Sequence, residues 1–86
     1  MSLTRARLAD YLQERFSLSV HDMDDDEPLF SSGLLDSINI IEVVAYVEEE
    51  TGKTATAEDL TFDNFDSMQR ILRFAGELAS RPDHAG

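Results

Sequence analysis

Apolar residues recur in three periodic stretches, separated by segments with no period. Leu8, Tyr11, Leu12 and Phe16 fall at helical spacing, while Arg5, Arg7, Asp10, Glu14 and Arg15 mostly take the other face. This predicts an amphipathic helix from about Thr4 to Phe16, capped by Thr4 or Ser2. A second helix is predicted to start near Asp36 or Ser37 and to stop at Gly52, with Lys53 at the negative end of its dipole. Ile38, Ile40, Ile41, Val43, Val44, Ala45 and Val47 cover most of its circumference, and Asn39, Glu42, Tyr46 and Glu49 share one narrower stripe. A helix so widely apolar is expected at the centre of the fold, packed on more than one side. Met68, Ile71, Leu72, Ala75, Leu78 and Ala79 form the last stripe, predicting a helix from about Ser67 to Ala79 capped by Asp66 or Ser67.

Between the first two helices the period breaks. The run DMDDDEP is acidic and Pro28 interrupts it, after which SSG supplies turn chemistry. A loop of roughly twenty residues is uncommon in a compact domain and is usually functional. Leu18, Val20, Leu29, Phe30, Leu34 and Leu35 are expected to pin it to the core. TATAEDL reads as a marginal short helix, with Thr56 and Asp59 at capping-box spacing. TFDNF reads as a connector anchored by Phe62 and Phe65, and SRPDHAG as a frayed tail. The expected fold is all-α: a small four-helix bundle of three main helices and one short one, with a long first loop. It would occupy residues 1–80 as one domain, with a disordered tail at 81–86.

The composition narrows the partners. The chain has 86 residues, 42% of them apolar, enough for one thin-cored globule. Its 7 basic and 18 acidic residues give a net charge of −11. That argues against nucleic acid, which needs clustered Lys and Arg, and for partners with basic surfaces. With no cysteine there is neither disulfide nor thiol nucleophile. The N-terminus lacks the apolar core of a secretory signal, and no run approaches the ~20 apolar residues of a membrane span. A cytoplasmic monomer is the default expectation.

Self-contained chemistry finds little support. Asp22, Asp24 and Asp26 open like a calcium loop, but Glu27 and Gly33 stand where the glycine and the bidentate Glu belong, so no metal is expected. His21 and His84 are the only histidines, and nothing in the sequence aims either at a serine. Ser37 nevertheless stands out, at the junction of the long loop and the most apolar helix. One account of Asp36-Ser37 is helix capping. The other is that an unactivated hydroxyl, held on a rigid element near backbone N–H groups that favour phosphate, is a substrate for another enzyme.

The stretch GLLDSINIIEVVAYVEEETG resembles the signature of acyl and peptidyl carrier proteins, in which Asp-Ser-Leu/Ile opens the second helix. The resemblance extends from the first helix through FDSMQRILRFAGEL. It implies a four-helix bundle that is not an enzyme. Its Ser37 would carry 4′-phosphopantetheine, delivered from coenzyme A by a phosphopantetheinyl transferase. An acyl or aminoacyl thioester on that arm would then be presented to partner enzymes. By the same resemblance, Asp36 serves transferase recognition, and Ile38, Glu42, Glu48 and Glu49 meet partners. Asn39, Ala45, Thr51 and Ala55-Thr56 depart from fatty-acid carriers. They argue against fatty-acid service, while the GLLDS opening and the NFDSM approach to the last helix resemble stand-alone carriers that work with amino-acid-activating ligases, including D-alanyl-type carriers, so amino-acid or small-acyl cargo is expected. The alternatives are an acidic helical interaction module with no covalent cofactor or, within the family, a fatty-acid or polyketide acyl carrier.

Overall fold

The computed structural model describes residues 3–82. It is all-helical: α1 (Arg5–Phe16), α2 (Asn39–Thr51), α3 (Phe62–Phe65) and α4 (Met68–Ala79), with a 3-10 turn at Ala57–Asp59 before α3. The fold class is as expected. The ends of the long helices follow the capping chemistry. The Thr4 hydroxyl accepts from the Arg7 N–H at 3.2 Å and opens α1, and the Ser67 hydroxyl accepts from the Arg70 N–H at 3.1 Å and opens α4. The alternative cap Ser2 lies outside the described residues. Gly52 closes α2 in the left-handed conformation, φ 72°, with its N–H on the Glu48 carbonyl. Lys53, predicted to face that carbonyl end, sends its ammonium to the Arg81 carbonyl at 2.5 Å.

α4 packs against each of the other three helices. Leu8 and Leu12 of α1, Val43 and Val47 of α2, Phe65 of α3, and Met68, Ile71 and Leu78 of α4 are fully buried. Each such side chain contributes about 1.5–3 kcal/mol of transfer free energy. Phe74, outside the predicted stripe, is also buried, edge-on to Phe65 at 5.1 Å, so the apolar face of α4 is wider than the stripe alone suggests.

The structure corrects the expectation for α2. Its buried face is Ile40, Val43, Val44 and Val47, while Ile38, Ile41 and Ala45 are exposed. Of the polar stripe, Asn39, Glu42 and Tyr46 are half-buried on the side of α1, while Glu49 is exposed. Tyr46 stacks on Tyr11 at 3.9 Å, Tyr11 donates to the Glu42 carbonyl, Tyr46 donates to the Arg7 carbonyl, and Arg15 pairs with Glu42. Helical period locates faces but not which neighbour covers each. Here α1 brings tyrosines and arginines, so hydrogen-bonding residues of α2 turn inward and isoleucines turn out.

The long loop is held as expected at Val20, Leu29, Phe30 and Leu35, all buried, and Leu18 is half-buried. Leu34 is not pinned: it is 44% exposed, beyond Gly33, whose φ of 88° reverses the chain there. Asp66 fastens the loop to the start of α4. Its carboxylate accepts from the Phe30 and Ser31 N–H groups at 2.7 and 2.9 Å and from the Ser31 hydroxyl at 2.7 Å. Its carbonyl accepts from the Leu29 N–H at 2.8 Å. In the acidic run, Arg5 donates to Asp25 and to the Met23 carbonyl, and the Asp25 carbonyl accepts from the Gln69 N–H.

The segment read as a short helix is a 3-10 turn, with the Thr56–Asp59 capping box in place. The presumed connector forms the one-turn helix α3, because Phe65 is fully buried against Phe74 and pulls the chain into a turn. Phe62 is only partly an anchor: it is 44% exposed and stacks on Phe30. Beyond α4, Arg81 forms a two-pronged pair with Asp59 at 2.8 and 2.9 Å. The rest of the predicted tail, 83–86 with His84, lies outside the described residues.

Both acids of this framework sit below the usual carboxylate range. The Arg81 guanidinium, opposed by burial and helped by Thr56, holds Asp59 down. At Asp66, burial pushes upward, but hydrogen bonds from Ser31, Phe30 and Leu29 outweigh it. Because folding depresses both groups, their stabilisation is complete above the unfolded value near ~4 and is lost as pH falls through the folded values. The melting temperature is therefore expected to fall progressively as the pH drops below roughly 5. Asp66→Asn is expected to cost about 2 kcal/mol at neutral pH and to flatten that acid slope, measured by thermal melts across pH.

Candidate functional site

The junction of the long loop and α2 is built from a change of burial. Leu35 is buried and its N–H reaches the Leu29 carbonyl at 2.8 Å, which fixes the approach. Asp36, Ser37 and Ile38 are then exposed, and Ile40 returns the chain to the core. The helix enters through a tight opening turn: Asn39 N–H to the Asp36 carbonyl, Ile40 N–H to Ser37, and Ile41 N–H to Ile38, at 2.9, 3.2 and 3.3 Å.

α2 thus begins later than predicted, at Asn39, with Ile38 before it in a helical conformation and no side-chain cap bond there. Neither Asp36 nor Ser37 caps through its side chain, so the capping account of the pair does not hold. The side chain that reaches back is Asn39: its Oδ1 accepts from the Asp36 N–H at 2.9 Å. This is one half of a capping box, with Asp36 in the first position and Asn39 three residues on. The Ser37 hydroxyl and the Asp36 carboxylate have no hydrogen-bond partner among the described residues, and the N–H groups of Ser37 and Ile38 have no acceptor there. Exposed hydroxyl, neighbouring carboxylate and two N–H groups without an acceptor among the described residues therefore share one turn at the positive end of α2.

The other serines in the region differ. Ser67 is buried as a cap, the Ser31 hydroxyl is on Asp66, and the Ser32 hydroxyl is on the Pro28 carbonyl. Ser17 terminates α1 and Ser19 is exposed, but neither heads a helix.

The remaining predicted residues spread along α2. Ile38 is 70% exposed beside Ser37. Glu42, one turn on, is held by Arg15 and receives the Asn39 amide at 3.3 Å. Glu48 and Glu49 lie about 15 Å beyond Asn39 along the axis. Glu48 accepts from the Ala55 N–H at 2.7 Å, while Glu49 is exposed. His21 sits 3.1 Å from Asp10 on α1. Two contributors were missed in the sequence. Asn39 stood out only as a departure, though its three-residue spacing from Asp36 is a capping-box signal. Ile41, at 62% exposure, was counted toward the core.

No helix of the described residues is long and apolar enough to cross a membrane, and none of their His, Asp and Glu side chains cluster in threes as a metal site requires. A family model described as the phosphopantetheine attachment site matches residues 6–75. No curated protein and no solved structure matches the chain.

Since neither side chain caps α2, Ser37→Ala and Asp36→Ala are expected to change stability by no more than about 0.5 kcal/mol. Ser67→Ala, which removes a working cap, is expected to cost about 1 kcal/mol. Denaturant unfolding of the three variants checks the contrast.

Proposed function

The chain belongs to the phosphopantetheine-attachment family, whose members carry 4′-phosphopantetheine covalently on a serine, and from that premise we propose that Ser37 is the serine. The observation that carries the assignment is the exposed, unpartnered hydroxyl heading α2 beside two unpaired N–H groups. Such N–H groups suit the phosphate of the arm. In the transfer, the Ser37 oxygen bonds to the phosphorus of the pantetheine arm as the pyrophosphate bond of coenzyme A breaks. The hydroxyl proton passes to a base of the transferase, and adenosine 3′,5′-bisphosphate leaves. Asp36, with its carboxylate free, faces the transferase rather than the helix.

The terminal thiol of the arm supplies what the chain lacks, a nucleophile that holds an acyl or aminoacyl group as a thioester. The chain is a carrier and leaves catalysis to its partners, which we take to be a transferase, an activating ligase and acyl-transfer enzymes with basic surfaces. Ile38 and Glu49 are offered to them directly. Glu42 and Glu48 would meet them only by sharing carboxylates that already hold Arg15, Asn39 and the Ala55 N–H. Amino-acid or small-acyl cargo fits the filled interior, where Val43, Val47, Ile71 and Leu78 leave no exposed area. A surface depression of about 350 Å³ is lined by polar Lys53, Thr54, Thr56 and Arg81 as well as Leu78. Ala45, exposed on α2, has no part in that lining. A cytoplasmic monomer is the form in which this role is proposed.

Incubation with coenzyme A and a broad-specificity phosphopantetheinyl transferase is expected to add one phosphopantetheine by intact mass, and Ser37→Ala to abolish the gain. An unchanged mass with a transferase active on another carrier, or an undiminished gain in Ser37→Ala, overturns the assignment. The thioester on protein isolated from its host identifies the cargo.

A further inference from the structure

We propose that Asn39 is a positioning residue for modification of Ser37, acting through the backbone of Asp36. The inference rests on the reading of Ser37 as the attachment serine. The turn holding Ser37 has no cap of the usual kind: Ile38 makes no side-chain cap bond, and the side chains of Asp36 and Ser37 accept nothing from the described residues. The side chain that ties this turn down is that of Asn39. It accepts the Asp36 N–H at 2.9 Å on one side and donates to Glu42 at 3.3 Å on the other.

Glu42 is itself anchored to α1 through Arg15, and the Tyr11 hydroxyl donates to the Glu42 carbonyl at 3.1 Å. A continuous hydrogen-bonded path therefore runs from α1, through Glu42 and the Asn39 amide, to the N–H of Asp36, the residue before Ser37. An asparagine suits the place because its one side chain both accepts from an N–H and donates to a carboxylate. The Asn39 N–H, which in a complete capping box would bond the Asp36 carboxylate, goes to the Asp36 carbonyl at 2.9 Å instead, and this leaves the carboxylate to face outward from the turn's hydrogen bonds. The device thus presents both neighbours, hydroxyl and carboxylate, in one fixed relation.

The test is transferase kinetics on the whole chain, with coenzyme A saturating and carrier varied. Asn39→Ala is expected to lower kcat about fivefold while KM stays within about twofold, since docking surfaces are intact but the hydroxyl is less often aligned. Asn39→Asp, which keeps the acceptor for the Asp36 N–H, is expected to recover most of that kcat. Hydrogen exchange at the Asp36 amide should be faster in the Ala variant and near wild type in the Asp variant. A wild-type kcat in Asn39→Ala, or a fall that Asp does not rescue, overturns the proposal. Should the Ala variant fail to fold, Asn39→Gln, which displaces the same acceptor by one methylene, replaces it: reduced kcat supports the role and unchanged kcat overturns it. Wild-type modification that is lost in Ser37→Ala, together with full activity in the Asn39 variants, would sink this inference alone. Failure of the wild-type chain to be modified would sink the Ser37 assignment with it.

Discussion

The carboxylate of Asp66 is the point from which the long loop hangs. Residues 17–38 contain no regular element, and their backbone must find partners outside helices. Asp66 supplies two of these backbone partnerships from its side chain and a third from its carbonyl, all within residues 29–31, and its carboxylate also takes the Ser31 hydroxyl. That seat puts Leu29 and Phe30 into the core, the Gly33 turn follows, and Leu35 re-enters. The exposure of Ser37 follows from these steps: between buried Leu35 and buried Ile40 the chain has only one turn in which to face solvent.

The second determinant is the pairing of α1 with α2. An acidic chain of net charge −11 would be expected to keep its carboxylates apart and in water. Several instead meet the few cations internally: Glu42 with Arg15, Glu50 with Arg7, Asp59 with Arg81, and Asp25 with Arg5. Glu50 is held below its ordinary range chiefly by the Arg7 hydrogen bond. Burial raises Tyr11 and Tyr46, so both phenols remain protonated donors to the carbonyls of Glu42 and Arg7. The exposed pair of Asp25 with Arg5 contributes little, about 0–1 kcal/mol. The pairs of Glu42 with Arg15 and Glu50 with Arg7 have a geometric consequence, since they hold one side of α2 toward α1.

That outward face carries Ile38, Ile41, Ala45 and Glu49. Beside a serine whose hydroxyl has no hydrogen-bond partner among the described residues, such a surface suits the acceptor role proposed for Ser37. The chain has no cysteine, and the thiol its family relies on arrives with the cofactor. What the fold contributes is an opening turn tied by Asn39, and in the role proposed above the partners contribute the chemistry.

The three long helices, the caps at Thr4, Ser67 and Gly52, the Thr56–Asp59 box and the Asp-Ser pair were all legible in the sequence. Each depends on residues within a few positions of one another, where helical period and hydrogen-bond reach are enough. The start of α2 at Asn39, the outward turn of Ile38 and Ile41, the one-turn helix at Phe62–Phe65, and the bonds of Asp66 and Arg81 were decided only by tertiary structure. They depend on residues brought together from distant parts of the chain: Arg15 with Glu42, Phe65 with Phe74, Ser31 with Asp66, Asp59 with Arg81. Local periodicity tells which residues share a face. Only packing tells which face meets a neighbour that can satisfy it.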